Sequence, residues 1–532
     1  MKNKVNYFLI LLFLVILALA VLDQANPIKT PLGIDSGSYA YIGEQLLNGA
    51  RLYVDVWDHK GPGVFYTNAF GLWLGQGSRW GIWFVEFLSL VLYAILMFFI
   101  ILKKWGILPA IAGLLTGLGS LNLALSGGNF TEEYSISLNV VALMAFVMMI
   151  RFKKPWFSFV IGVFMVVSGL FRANNIGLSI AICLMILITG IWKQEWRDIT
   201  AKLLWGMAGC LLAVGTVCLY FIYHGSFQEF LIANFSYNYF YAQNRANDQP
   251  WEFLQTFLKG FSVFRVYAWF AVLGYVFSVY ETVTRVIFKR HIPYFHALIV
   301  CLWPVEIYLS SLSGRGVTHY FVSWTPAMTL MGAALMRGIL SYLPVSKKPL
   351  FRKIARNSTV GLLAAIIVLF VALYPQMFGY FEAANYRFSG NFQKLEVSSP
   401  VVEYITANSK ADDSVLVWTG HGSIYFMLHR TAPTPYFYYP WMVDSPYTSD
   451  IGKAYYQSML DHPPVLLVDT FLRNPDQLLA IDPTTRKLQL KKDKNYFRPA
   501  FINDVLKYFE ANYHFETEVD GFRIYRKDQI TP

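Results

Sequence analysis

Eleven apolar runs constrain this chain more than any other feature: 6–23, 81–102, 107–126, 134–150, 156–171, 176–192, 203–223, 263–280, 294–311, 320–338 and 358–378. A helix needs roughly 17–25 residues to cross the hydrocarbon core of a bilayer. There every peptide N–H and C=O has to be paired within its own segment, so such runs read as helices. The composition agrees. Charged residues make up 14% of the chain and hydrophobic ones 55%, whereas a soluble domain carries about a quarter charged residues.

The connections give an orientation. With Lys2 and Lys4 inside, alternate loops carry Lys103/Lys104, Arg151/Lys153/Lys154, Lys193/Arg197/Lys202, Arg285/Lys289/Arg290 and Lys347/Lys348/Arg352/Lys353/Arg356. Basic residues collect in cytoplasmic loops, so about eleven spans leave everything after about 379 outside the cytoplasm. The net charge of +11 is accounted for by these loops and gives no reason to expect nucleic acid. Ala18-Leu19-Ala20 reads either as a signal-peptidase site or as part of a retained anchor. The length of the apolar run favours the anchor. Cys183, Cys210, Cys218 and Cys301 all fall within apolar runs and lack metal-ligand spacing.

Two outside loops are large. One covers about 24–80. The other, 224–262, holds Phe235, Tyr237, Tyr239, Phe240 and Tyr241, which suit an interfacial aromatic belt or a face for stacking on a sugar. From about 385 the chain reads as a soluble α/β domain, large enough for its own core. Ser399-Pro400 begins a helix, Val415–Trp418 and Val465–Val468 are β-prone, and Asp520-Gly521 predicts a hairpin. The expected division is a membrane domain over 1–380 and an extracytoplasmic α/β domain over 381–532.

Candidate chemistry concentrates in residues 35–62, DSGSYAYIGEQLLNGARLYVDVWDHKGP, just after the first apolar run. Charges so close to a bilayer are costly unless they sit in water or serve a site. Asp35 precedes a helical pattern and reads as an N-cap, as a carboxylate that serves a site at the membrane surface, or as both. Asp58, His59 and Lys60 form either a solvated turn or a polar constellation. Glu132 and Glu133 follow Gly127-Gly128-Asn129 at the outer start of a helix, where the helix dipole favours acids. Arg172 lies in a short outer turn, placed to snorkel or to bind an anion. Arg315, between Gly314 and Gly316 and followed by His319 and Tyr320, has a guanidinium suited to bidentate phosphate binding.

An Asp just beyond the first helix, a Tyr-rich segment and an acidic-His-Lys-Gly-Pro run together resemble the first external loop of polytopic GT-C glycosyltransferases, in particular the bacterial ArnT/protein-mannosyltransferase and RgtA-type families. Arg315-x-x-x-His319-Tyr320 resembles a later segment of the same enzymes. The resemblance implies the GT-C fold: an α-helical integral membrane protein with about eleven helices and a C-terminal extracytoplasmic α/β domain. It implies Asp35 as general base, Lys60 and Arg315 on a donor phosphate, and Asp58, His59, Glu132, Glu133, Arg172, His319 and Tyr320 as substrate-binding. Ser36 stands where many relatives have a second acid, and Gly61 where they have proline.

By the same resemblance the donor is a polyprenyl-phosphate sugar, since sugar nucleotides stay in the cytoplasm. The acceptor is an envelope glycan, lipid or protein, and the site faces outward from the cell membrane. No resident cofactor is implied, and a divalent metal is left open. The rival from another class is a transporter or flippase of lipid-linked saccharides, for which internal repeats and helices broken near mid-membrane are expected. Neither is evident here. A scaffold or sensor with a degenerate site is the third reading.

Overall fold

The structure, a computed structural model, describes residues 7–243, 252–312, 317–342, 358–418, 420–439, 443–473, 479–492 and 499–528. A helix lies on each apolar run: Tyr7–Val21, Arg79–Trp105, Ile107–Leu121, Thr131–Phe152, Phe157–Gly169, Gly177–Lys193, Trp196–Tyr223, Val266–Lys289, Tyr294–Ser311, Thr325–Tyr342 and Ser358–Phe388. Among the described residues, six helical segments are long and apolar enough to cross a bilayer: Tyr7–Ala25, Arg79–Trp105, Thr131–Phe152, Trp196–Tyr223, Val266–Lys289 and Tyr294–Ser311. Ile107–Leu121, Phe157–Gly169 and Gly177–Lys193 are apolar but shorter. The chain is a multi-pass membrane protein.

Its contacts divide the chain into two compact units. The first comprises Met1–Thr30, Trp83–Leu219 and Asp248–Leu395; the second comprises Pro31–Ile82, Tyr220–Asn247 and Glu396–Pro532.

In the first unit, small residues let helices approach closely, as membrane helices do. A Cβ on Gly113 would lie 2.5 Å from the carbonyl oxygen of Thr329, so Ile107–Leu121 packs almost backbone to backbone on Thr325–Tyr342. Tyr93 locks the same region through a 2.6 Å hydroxyl contact with Thr329. The helix Trp196–Tyr223 instead exposes Leu203, Leu204, Trp205, Leu211 and Leu219. An apolar face of that extent suits lipid, not water.

The second unit contains a four-stranded sheet of order β1-β2-β4-β3, where β1 is Val415–Trp418, β2 Leu466–Asp469, β3 Tyr513–Val519 and β4 Phe522–Lys527. β1 and β2 are parallel, and the other neighbours are antiparallel. Trp418, Tyr439, Tyr455, Leu467, Leu506 and Phe509 form its core. β1 lies where its apolar run places it, and β2 runs one residue later than expected. The predicted hairpin is present. Asp520 and Gly521 have φ of 50° and 75°, the positive pair that a type I′ turn needs.

Two local expectations are corrected. Asp35 is not the N-cap: its helix spans Ile34–Leu47, and Gly33 occupies the cap position. The Gly33 N–H donates to Ser36 Oγ at 2.8 Å, so Ser36 performs the local capping. The region 224–262 is also more than a loop, since it contains helices Phe227–Leu231, Tyr237–Gln243 and Glu252–Phe264.

Candidate active site

The polar residues singled out in the sequence fall into two clusters, one in each unit. In the second unit, the helix Ile34–Leu47 is held by the helix Gly422–Leu428 and the segment after it. A Cβ on Gly422 would lie 2.5 Å from the Ser38 Cα, so any larger residue there would push the helices apart. Next, the Tyr41 hydroxyl accepts from the Ala432 N–H at 2.8 Å, and Thr431 donates to Gln45 Oε1 at 3.2 Å. The Trp57 N–H donates to the Pro435 carbonyl at 3.0 Å. These contacts bring Tyr438 to Asp35, and its hydroxyl donates to Asp35 Oδ1 at 2.6 Å.

Asp58 lies behind this pair. Its carboxylate is fully buried, and Oδ1 accepts from the Lys60 N–H at 3.0 Å. The His59 Nδ1 is 3.4 Å from the same oxygen. Oδ2 has no hydrogen-bond partner among the described residues. Burial pushes the Asp58 carboxyl up to about 6; Lys60 and the backbone N–H bonds oppose the rise, while Asp35 adds to it. Asp58 therefore responds to both Asp35 and Lys60, which are themselves partly exposed.

Lys60 Nζ lies 3.3 Å from His59 Nε2, and Tyr53 donates to the Lys60 carbonyl at 2.9 Å. His59 stacks on Tyr241 with ring centroids 5.1 Å apart and lies 5.5 Å from Tyr237. Asn238 donates to the His59 carbonyl at 2.9 Å. Part of the aromatic segment thus walls the first-loop cluster, whereas Phe235 and Tyr239 remain exposed. Sequence reasoning passed over Tyr438 and Asn238. The only local signal for Tyr438 was the aromatic run Tyr436–Tyr439, which also supplies core residues.

The first unit gathers Glu132, Glu133, Arg172, His319 and Tyr320. Glu132 and Glu133 open the helix Thr131–Phe152, and both are buried. Arg172 Nη1 lies 2.5 Å from Glu132 Oε1, and Thr131 donates to Oε2 at 2.9 Å. The Arg172 guanidinium sits 3.5 Å from the Tyr320 ring centroid, and His319 stacks on Phe130 at 4.3 Å. Glu133 Oε2 accepts from the Phe130 N–H at 2.8 Å. Arg172 thus turns towards a buried acid and an aromatic ring. Glu86, absent from the sequence reading, accepts from the Asn129 N–H. Arg315 lies outside the described residues. Among those described, no group of three His, Cys, Asp or Glu side chains could hold a metal ion.

No family model matches the sequence, and no curated protein matches it. Solved structures share its fold. ArnT from Cupriavidus metallidurans bound to undecaprenyl phosphate is 13% identical, with 98% of each chain covered and a TM-score of 0.57. The apo form of the same protein is also 13% identical, with 96% of each chain covered and a TM-score of 0.55. At that identity the likeness establishes the fold, which is the GT-C fold that the first-loop resemblance implied.

Proposed function

We propose that the chain is a glycosyltransferase that moves a monosaccharide from a polyprenyl-phosphate donor, undecaprenyl phosphate being the expected carrier, to an acceptor of the cell envelope. The observation that carries this reading is the first-loop cluster. A half-exposed carboxylate and a half-exposed lysine flank a buried, incompletely paired acid, in a chain with the fold of an enzyme that binds a polyprenyl phosphate. Asp35 accepts the proton of the acceptor hydroxyl as its oxygen attacks the anomeric carbon. The bond from that carbon to the phosphate oxygen breaks, and the polyprenyl phosphate leaves with the electron pair. One displacement of this kind inverts the anomeric centre. Lys60 offsets the charge of the departing phosphate, and His59 orients Lys60.

Arg315 is proposed as a second phosphate cation, with Glu132, Glu133, Arg172, His319 and Tyr320 as substrate-binding candidates at the outer helix ends. The proposed topology has about eleven spans, with Lys104 inside and Asp35, Arg315 and the domain over 381–532 outside. External thiol labelling of introduced cysteines checks it: label at position 104 in intact cells would overturn the scheme.

A second reading makes Asp58 the base, because burial pushes its carboxyl up to about 6 and general bases work best when poised near the operating pH. The experiment is transfer from a panel of polyprenyl-phosphate sugars to envelope polymers in membranes. Wild-type protein transfers one of them; Asp35→Asn still binds that donor and transfers almost none. If Asp35→Asn turns over normally while Asp58→Asn is dead, the base is Asp58. If neither substitution affects transfer, the first-loop site is wrong.

A further inference from the structure

The first unit contains a cavity of about 500 Å³ at the helix ends opposite Thr131 and Thr318. It lies among the end of Arg79–Trp105, the end of Val266–Lys289, the start of Tyr294–Ser311 and the end of Thr325–Tyr342. Lys104, Arg285 and Arg337 bring three positive charges to it. Glu281, the acid among its described lining residues, is already engaged: Oε2 lies 2.6 Å from Arg285 Nε, and Oε1 accepts from the Tyr342 hydroxyl at 2.6 Å. Lys104 and Arg337 pair with no carboxylate among the described residues.

The geometry points to a binding site for a phosphate group in this cavity, separate from the proposed transfer site and independent of that reading. Two cations beyond the one Glu281 neutralises face a space with room for more than water. Charge-assisted hydrogen bonds from guanidinium and ammonium groups suit phosphate oxygens, and the Tyr294 hydroxyl, which accepts from Lys193 Nζ at 3.1 Å, lines the cavity with its own proton to donate. The Trp105, Phe277 and Phe295 rings form part of its wall. An anionic phospholipid headgroup and a soluble phosphate share this chemistry. Ile287 and Phe288, exposed at the same end, put bilayer-facing apolar surface nearby and favour the headgroup.

The bland account is that these cations only orient the protein in the membrane. Lys103 provides the control: it neighbours Lys104 and is exposed, yet does not line the cavity. The full chain in detergent is titrated with short-chain phosphatidylglycerol, short-chain phosphatidylcholine and inorganic phosphate, with bound adducts counted by native mass spectrometry. Saturable binding of phosphatidylglycerol or phosphate, but not phosphatidylcholine, is expected. A lost charge-assisted contact should weaken it about tenfold or more in Lys104→Gln and in Arg337→Gln, and not in Lys103→Gln. Phosphatidylglycerol binding much tighter than phosphate identifies a lipid headgroup; the reverse identifies a soluble anion. Both substituted side chains are exposed, and unliganded melting temperatures confirm that the variants fold. Absence of saturable binding by either anion, or an equal loss in Lys103→Gln, overturns the site.

Discussion

The cluster around Asp35 and the cluster around Glu132 contain the same kinds of side chain, but their polar atoms are used differently. Glu132 is closed: one carboxylate oxygen faces Arg172 and the other accepts from Thr131, while Tyr320 covers the guanidinium. The first-loop cluster is open. Asp58 keeps an unpartnered buried oxygen, and Asp35 and Lys60 reach partial exposure. Glu133, next to Glu132, also keeps a buried Oε1 with no hydrogen-bond partner among the described residues. What distinguishes the clusters is therefore exposure: Asp35 and Lys60 are partly exposed, whereas Glu132 and Glu133 are buried.

The largest expected effects test that contrast directly. Asp35→Asn should reduce transfer by about 10²–10⁴-fold with little change in melting temperature. Glu132→Gln should mainly lower thermal stability, because removing one partner of a buried pair costs about 3–5 kcal/mol, and as a substrate-binding change should raise substrate KM more than it lowers kcat. If Glu132→Gln leaves stability intact and abolishes transfer, the closed cluster is catalytic and the contrast fails.

Smaller effects sharpen the open cluster. Lys60→Ala removes a charged contact worth about 1.5–3 kcal/mol, so donor use should fall roughly 10–100-fold while acceptor KM stays put. Tyr438→Phe removes the hydroxyl on Asp35, and kcat should fall about tenfold with donor KM unchanged. A rise in donor KM alone would move Tyr438 from positioning the base to binding the donor.

The smallest effect is on pH dependence. The folded state raises the Asp58 carboxyl from 3.8 to about 6, so it binds the proton more tightly than the unfolded chain does. The stability this contributes is fully present below about pH 4 and is lost as pH rises through about 6. Thermal melts from pH 4 to 7 should show wild-type protein losing stability relative to Asp58→Asn across that window. Parallel curves would mean that Asp58 is less buried than described.

Much of the fold was legible because its signals are local. Apolar runs of bilayer length locate the helices, and Asp520-Gly521 locates the hairpin through the positive φ its turn needs. The first-loop candidates were legible because Asp58, His59 and Lys60 are adjacent in sequence. What sequence reasoning passed over depends on distance along the chain: the Tyr438 hydroxyl reaches Asp35 across about 400 residues, through an aromatic run no different in composition from its core neighbours. Asp35 was also expected to cap its own helix, and Ser36 does so instead. Arg172 was ambiguous for the same reason, since its partner Glu132 lies 40 residues away.

The most direct test follows a labelled sugar on its polyprenyl-phosphate carrier in sealed vesicles containing the protein and an envelope acceptor. Label should move into the acceptor, polyprenyl phosphate should be released in equal amount, and Asp35→Asn should block both. Label that crosses the bilayer still attached to its carrier, with none in the acceptor and no effect of Asp35→Asn, would make the protein a transporter and not a transferase.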